Sequence, residues 1–188
     1  MATPAVAAPL AQLPNALSVA RLLLVPVFVA LMLTADGGHS WVAGIIFGAA
    51  GITDQVDGFL ARRWRVESRF GKVVDPLADR LMIDAAVITL VVADRLPWPA
   101  LLIVGARDLF LLVGYKLFAP RGVEIDVNVV GKVATWVLYA GIGFVIVTHP
   151  SAEWPVWVFW IGVGLAVAAA AQYAFDAYRT ITRREATA

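Results

Sequence analysis

The sequence contains no cysteine, which excludes disulfides and thiolate metal sites. Charge is scarce as well. Charged residues make up 15% of the 188, and the net charge is +1, a balance that argues against nucleic acid as a partner. The first thirteen residues hold no Lys or Arg. A secretory signal peptide needs a positively charged start, so residues 1–13 read as an interfacial or disordered lead-in. There is no convincing internal repeat or low-complexity stretch. The two histidines, His39 and His149, look like helix-end or solvated residues.

What the chain has in excess is apolar length. Hydrophobic residues amount to 61% and the mean hydropathy is +0.80, whereas a soluble domain is about half apolar. Six apolar runs fall at about 16–34, 41–63, 70–94, 98–118, 127–149 and 154–179. Each is near the roughly 20 residues that a helix needs to cross a bilayer. The expectation is an all-α integral membrane protein of six transmembrane helices. One membrane domain covers 14–180, with a tail at 181–188.

Lys and Arg in short loops mark the cytoplasmic side. The connection after the second run carries Arg62, Arg63, Arg65, Arg69 and Lys72. The connection after the fourth carries Lys116 and Arg121, and the C-terminal end carries Arg179, Arg183 and Arg184. The other three connections hold only Arg95. Both termini and the two basic loops are therefore expected in the cytoplasm, in a multi-pass protein of the cell membrane. Trp98, Trp154 and Trp157, beside Pro97, Pro99 and Pro155, read as interfacial anchors and helix starts on the opposite side.

The second and third runs contain Asp54, Asp57, Asp75, Asp79 and Asp84. An aspartate at the centre of a spanning helix costs roughly 2.5–3.5 kcal/mol. Four without compensation would cost on the order of 10 kcal/mol, comparable to a whole protein's net stability. Asp54, Asp57, Gly58 and Ala61 follow i, i+3, i+4, i+7, which is one helix face. Asp75 and Asp79 follow i, i+4 on the next helix. The short connection makes the two helices antiparallel neighbours, so the four carboxylates can converge. Their charge of −4 matches two divalent cations, and hard oxygen donors favour Mg²⁺ or Mn²⁺ over zinc. Gly58 and Ala61 leave room for close helix packing or for a planar group against the backbone. Arg62, one turn nearer the cytoplasm, suits a phosphate.

In full, the pattern is Asp54-x2-Asp57-Gly58-x2-Ala61-Arg62-x8-Gly71-x3-Asp75-x3-Asp79. It resembles the CDP-alcohol phosphotransferase (phosphatidyltransferase) family. Eight fixed letters at about 6% each match by chance on the order of 10⁻¹⁰ per start position. The resemblance implies a two-metal site on Asp54, Asp57, Asp75 and Asp79, with Asp79 as general base. It also implies a cytidine diphosphate pocket around Asp57, Gly58, Ala61, Arg62 and Gly71, in a CDP-diacylglycerol-dependent transferase. By the same family analogy the expected assembly is a homodimer.

The acceptor alcohol is less sharply marked. The stretches Leu13-Pro14-Asn15 through Arg21 and Asp75-Pro76-Leu77-Ala78-Asp79-Arg80-Leu81-Met82 resemble the family's phosphatidylglycerophosphate synthases, which implies glycerol 3-phosphate. Arg107-Asp108 and Gly131-Lys132-Val133-Ala134-Thr135 look closer to its cardiolipin synthases, which implies phosphatidylglycerol. Both acceptors carry a phosphate that Arg107, Arg121 and Lys132 could hold. The alternative for Arg107 is an ion pair with a neighbouring aspartate; for Arg121 and Lys132 it is anchoring at the cytoplasmic surface. Outside the family, a cation transporter would explain buried aspartates but not Gly58, Ala61 and Arg62 on their face. An aspartate-rich prenyltransferase would use a different spacing.

Overall fold

The computed structural model describes the backbone of residues 13–64, 71–118 and 129–185. Within these it describes the side chains of 16–53, 56, 80–111, 113, 114 and 130–175. Six α-helices account for nearly all of it: α1 Leu13–Leu33, α2 Trp41–Trp64, α3 Gly71–Val92, α4 Pro99–Phe118, α5 Val129–Val147 and α6 Trp154–Glu185. They match the six apolar runs closely. The last helix is longer than its run, with 32 residues. At 1.5 Å per residue it is about 48 Å long, more than the roughly 30 Å of a hydrocarbon core.

The helix ends follow local chemistry. The Ser40 hydroxyl caps α2 by accepting the Ala43 N–H at 3.2 Å. Pro99 opens α4, at a position whose N–H would have no partner in the helix anyway. At the end of α3, Asp94 takes a left-handed φ of 55°. The Arg95 N–H then reaches back to the Leu90 carbonyl at 2.8 Å, and the Asp94 N–H to that of Val91 at 3.1 Å. This is a Schellman closure on a residue other than glycine.

Three connections meet at one end of the bundle. Arg95 donates to the carbonyls of Gly38 at 3.2 Å and Thr148 at 3.0 Å, and the Ser40 N–H donates to the Ile146 carbonyl at 2.8 Å. The α1–α2, α3–α4 and α5–α6 connections are thus tied together, so successive helices run in alternate directions. Arg95 is the one Lys or Arg in these three connections. Partial burial disfavours its charge and lowers its pKa, and the two carbonyls offset that penalty. Exposed Trp41, Trp98, Trp154 and Trp157 ring the same end.

The core runs along the bundle axis through Phe28, Phe47, Met82, Val87, Leu90, Leu138, Ile142, Ile146 and Phe159, with Ala43, Ala50, Ala86 and Ala134 allowing close helix approach. α1 packs on both α2 and α3, and α5 packs on α6 along most of its length. The outer surface is apolar too: Leu23, Ile45, Ile52, Val92, Leu102 and Ile161 are all exposed. Among the described residues, three stretches are long and apolar enough to cross a membrane: Ala16–Leu33, Val130–Val147 and Trp154–Phe175. α2 contributes a shorter apolar stretch, Trp41–Thr53. α2, α3 and α4 carry charged residues within their length, which lowers their hydropathy.

Candidate active site

Two helix ends carry the acidic motif. Asp54, Asp57, Gly58, Ala61 and Arg62 occupy the last turns of α2, and Gly71, Asp75 and Asp79 the first turns of α3. Both segments are continuous helix, as the i, i+3, i+4 spacing requires. At 100° per residue, positions 54, 57, 58 and 61 fall within roughly 100° of arc, and 75 and 79 within about 40°. α2 and α3 are in contact, and α1 packs against both. The side chains of Asp54, Asp57, Gly58, Ala61, Arg62, Gly71, Asp75 and Asp79 lie outside the described residues, as does all of Arg121. Among the described residues no cluster of three or more possible metal ligands occurs.

The described surroundings of these helix ends are polar where a simple bundle would be apolar. On α1, Ser18 is fully buried and Arg21 is 1% exposed. A buried guanidinium is costly unless compensated, and the helices beside α1 are those that bear the aspartates. On α3, one residue past Asp79, Arg80 donates its Nη1–H to the Asp108 carbonyl of α4 at 2.7 Å. Arg107 Nη1 pairs with Asp108 Oδ1 at 2.6 Å, both side chains largely buried.

Arg107 therefore stands in the ion pair foreseen as its alternative role. Its side chain also lines a cavity of about 10 Å³ between α4, α5 and α6, with Leu138, Val163 and Ala166 among the walls. That volume admits about one water molecule and no phosphate. Lys132, near the start of α5, is exposed. Sequence reasoning gave no role to the Arg80–Asp108 link or to Asp84, which lies close enough to both groups to feel their charge. One signal was available: Arg80 and Asp84 are an i, i+4 pair of opposite charge.

Comparison with known proteins identifies the family. The family described as CDP-alcohol phosphatidyltransferase matches residues 11–168, a range that contains all eight motif positions. The chain belongs to the CDP-alcohol phosphatidyltransferase family. It is an enzyme family, so the transporter and prenyltransferase alternatives give way. The chain is 35% identical over 163 residues to the CDP-diacylglycerol–glycerol-3-phosphate 3-phosphatidyltransferase of Bacillus subtilis (strain 168), covering 76% of this chain and 84% of that one. It is 38% identical over 140 residues to a probable phosphatidylglycerophosphate synthase of Mycobacterium tuberculosis, covering 73% of this chain and 66% of the other. A cardiolipin synthase (CMP-forming) of Streptomyces coelicolor is 38% identical over 133 residues, covering 68% and 62%. Within the phosphatidyltransferase family, then, similarity reaches relatives named as phosphatidylglycerophosphate synthase and as cardiolipin synthase.

Proposed function

We propose that this protein transfers a phosphatidyl group from CDP-diacylglycerol to glycerol 3-phosphate, giving phosphatidylglycerophosphate and CMP. The observation that carries the reading is the complete eight-residue motif on the adjoining ends of α2 and α3, together with 35% identity to a relative that bears this name.

The donor set fits divalent cations: four carboxylates, two from each of two contacting helices, with no cysteine anywhere in the chain. Asp54, Asp57, Asp75 and Asp79 would hold two Mg²⁺ or Mn²⁺ ions, whose chemistry is to polarise phosphoryl oxygens. Gly58, Ala61 and Gly71 leave space for the cytidine, and Arg62 neutralises the diphosphate. Asp79 takes the proton from the acceptor hydroxyl. The freed oxygen forms a bond to the β-phosphorus of CDP-diacylglycerol, the bond from that phosphorus to the bridging oxygen breaks, and CMP carries the bridging oxygen away.

Arg107, Arg121 and Lys132 are the proposed acceptor-phosphate residues; Arg107 meets Asp108 through Nη1 alone, which leaves its other donors for a phosphate. Two contacts set the α2–α5 register: Gly44 lies against Val147, and Gly51 against Tyr139. Carried on through antiparallel helices, this register brings Lys132 level with positions 58–59 of α2, beside the motif.

All six helices cross the membrane in this reading. The exposed apolar residues Trp41, Ile45 and Ile52 of α2, Ile88 and Val92 of α3, and Leu102, Leu109 and Phe110 of α4 support it. The Arg95 end faces outward and the motif end faces the cytoplasm, with both termini, by the distribution of Lys and Arg. A homodimer is proposed with it. A cysteine at Ser40 should react with an impermeant thiol reagent outside intact cells and one at Ser68 should not; the reverse would refute the orientation.

A second reading, cardiolipin synthesis from CDP-diacylglycerol and phosphatidylglycerol, is favoured by Arg107-Asp108, by Gly131-Lys132-x-Ala134-Thr135 and by the Streptomyces relative. One assay separates the two: purified protein, CDP-diacylglycerol and Mg²⁺, with glycerol 3-phosphate or phosphatidylglycerol as acceptor and CMP release as readout. Release only with phosphatidylglycerol would replace the first reading with the second. Undiminished release in excess EDTA would remove the metal from both.

A further inference from the structure

Tyr139 of α5 lays its ring across α2 one turn before the acidic motif. It stacks on Phe47 with ring centroids 4.2 Å apart and planes inclined by 19°. Its hydroxyl donates to the Phe47 carbonyl at 2.8 Å. The ring fills the space that a side chain at position 51 would need, since a Cβ on Gly51 would come within 2.5 Å of Tyr139 Cε1. Phe47 in turn meets Phe28 of α1 at 5.9 Å, so α2 is gripped from two sides at this level.

Neither element of the contact is what simple packing would select. A phenylalanine would stack equally well, and a hydroxyl inside an apolar bundle costs free energy unless it finds a partner. A glycine in mid-helix costs about 1 kcal/mol relative to alanine. Together they fix both the height and the rotation of α2. Phe47, Gly51, Asp54 and Gly58 follow i, i+4, i+7, i+11, a single stripe on the helix. Whatever sets the rotation at Phe47 and Gly51 therefore sets it at Asp54 and its neighbour Asp57.

We propose that Tyr139 is a positioning residue for the end of α2 that carries Asp54 and Asp57, fixing the height and rotation of that helix beside α3. The proposal rests on the metal-dependent transferase reading above. It makes Tyr139 a determinant of metal affinity although it is no metal ligand.

The test uses the purified full chain in detergent and four variants: Tyr139→Phe, Tyr139→Leu, Gly51→Ala and the Gly51→Ala/Tyr139→Leu pair. Trp136→Leu, on the exposed side of the same helix, is the control. Thermal unfolding, Mn²⁺ affinity by electron paramagnetic resonance and CMP release are measured on each. Tyr139→Leu and Gly51→Ala should weaken Mn²⁺ binding and lower kcat about tenfold. Tyr139→Phe, which keeps the ring, should lose roughly threefold with little change in Tm. Gly51→Ala should add almost nothing to Tyr139→Leu, because the ring it collides with is gone. Trp136→Leu should match the wild type. Mn²⁺ affinity and kcat in folded Tyr139→Phe and Gly51→Ala both within about twofold of wild type, well short of those losses, would overturn the proposal. So would losses that merely track Tm. If Tyr139→Leu fails to fold, the other two single variants decide. A wild type that binds Mn²⁺ but releases no CMP with any acceptor would sink the transferase reading instead, and the Mn²⁺ comparison would still decide the role of Tyr139.

Discussion

Between α5 and α6 the chain packs by omitting side chains. A Cβ on Gly141 would lie 2.6 Å from the Phe159 Cα, and one on Gly162 would lie 2.5 Å from the Leu138 Cα. Each glycine thus receives the other helix's backbone, and no charged residue intervenes. α2 and α3 are a different kind of pair. Their adjoining ends carry Asp54, Asp57, Arg62, Arg63, Lys72, Asp75 and Asp79 within 26 residues, and much of their packing is with α1 rather than with each other. The first pair gains stability from contact. The second brings charges of both signs to one end of the bundle. One half of the bundle packs as a scaffold, and the other carries the candidate site.

The sharpest way to break that division is at Asp79. Asp79→Asn should cut CMP release by about 10²–10⁴-fold while CDP-diacylglycerol binding and the fold persist, because Asn keeps the size and one oxygen. Asp57→Asn should impair metal and nucleotide binding together. Affinity and turnover measured side by side distinguish the two. Turnover of Asp79→Asn within about threefold of wild type would remove Asp79 from the mechanism.

The scaffold should give the opposite profile. Gly141→Leu drives a side chain into the Phe159 backbone and should exceed the usual 1–3 kcal/mol of overpacking, seen as loss of folded, monodisperse protein. Gly141→Ala should lower Tm while leaving kcat per folded molecule nearly unchanged. A kcat loss without a Tm loss would show that the α5–α6 pair belongs to the site after all.

Smaller effects lie at the two ends of the bundle. Arg95→Met removes two hydrogen bonds to carbonyls and should cost about 1–3 kcal/mol, read as a lower Tm with kcat unaffected at low temperature. Lys132→Gln should raise the KM for glycerol 3-phosphate a few-fold, in line with an exposed charge pair of up to about 1 kcal/mol. The KM for CDP-diacylglycerol should stay the same. An equal rise in both would place Lys132 on the nucleotide rather than the acceptor.

The helices were legible because each apolar run is bounded by chemistry that stops it: Ser40 before α2, Pro99 at α4, and the polar connection before Trp154. α6 ran past its expected end because Arg and Glu are good helix formers and apolarity alone marks only the part that can sit in lipid. The motif was legible because its spacing is helical, so eight letters state a geometry. Arg107 was less so. Position 107 next to an aspartate is compatible with a phosphate ligand or an ion pair, and the choice depends on which neighbours α4 meets. It meets Arg80 through the Asp108 backbone, and α5 and α6 around a water-sized cavity.

By itself the sequence determined the six helices, the apolar outer surface and the carboxylate faces, all of which follow from periods of 3.6 residues and from runs of hydrophobic residues. Only the tertiary structure decided that Arg95 ties three loops, that Arg107 pairs with Asp108, that Gly141 and Gly162 admit each other's helices, and that Tyr139 sits on Phe47 and Gly51. These are contacts between residues up to 92 positions apart. Periodicity fixes which face of a helix is which. It cannot say which other helix that face will meet, because in a bundle whose inside and outside are both apolar, partners are chosen by shape and by the few polar atoms that must find one another.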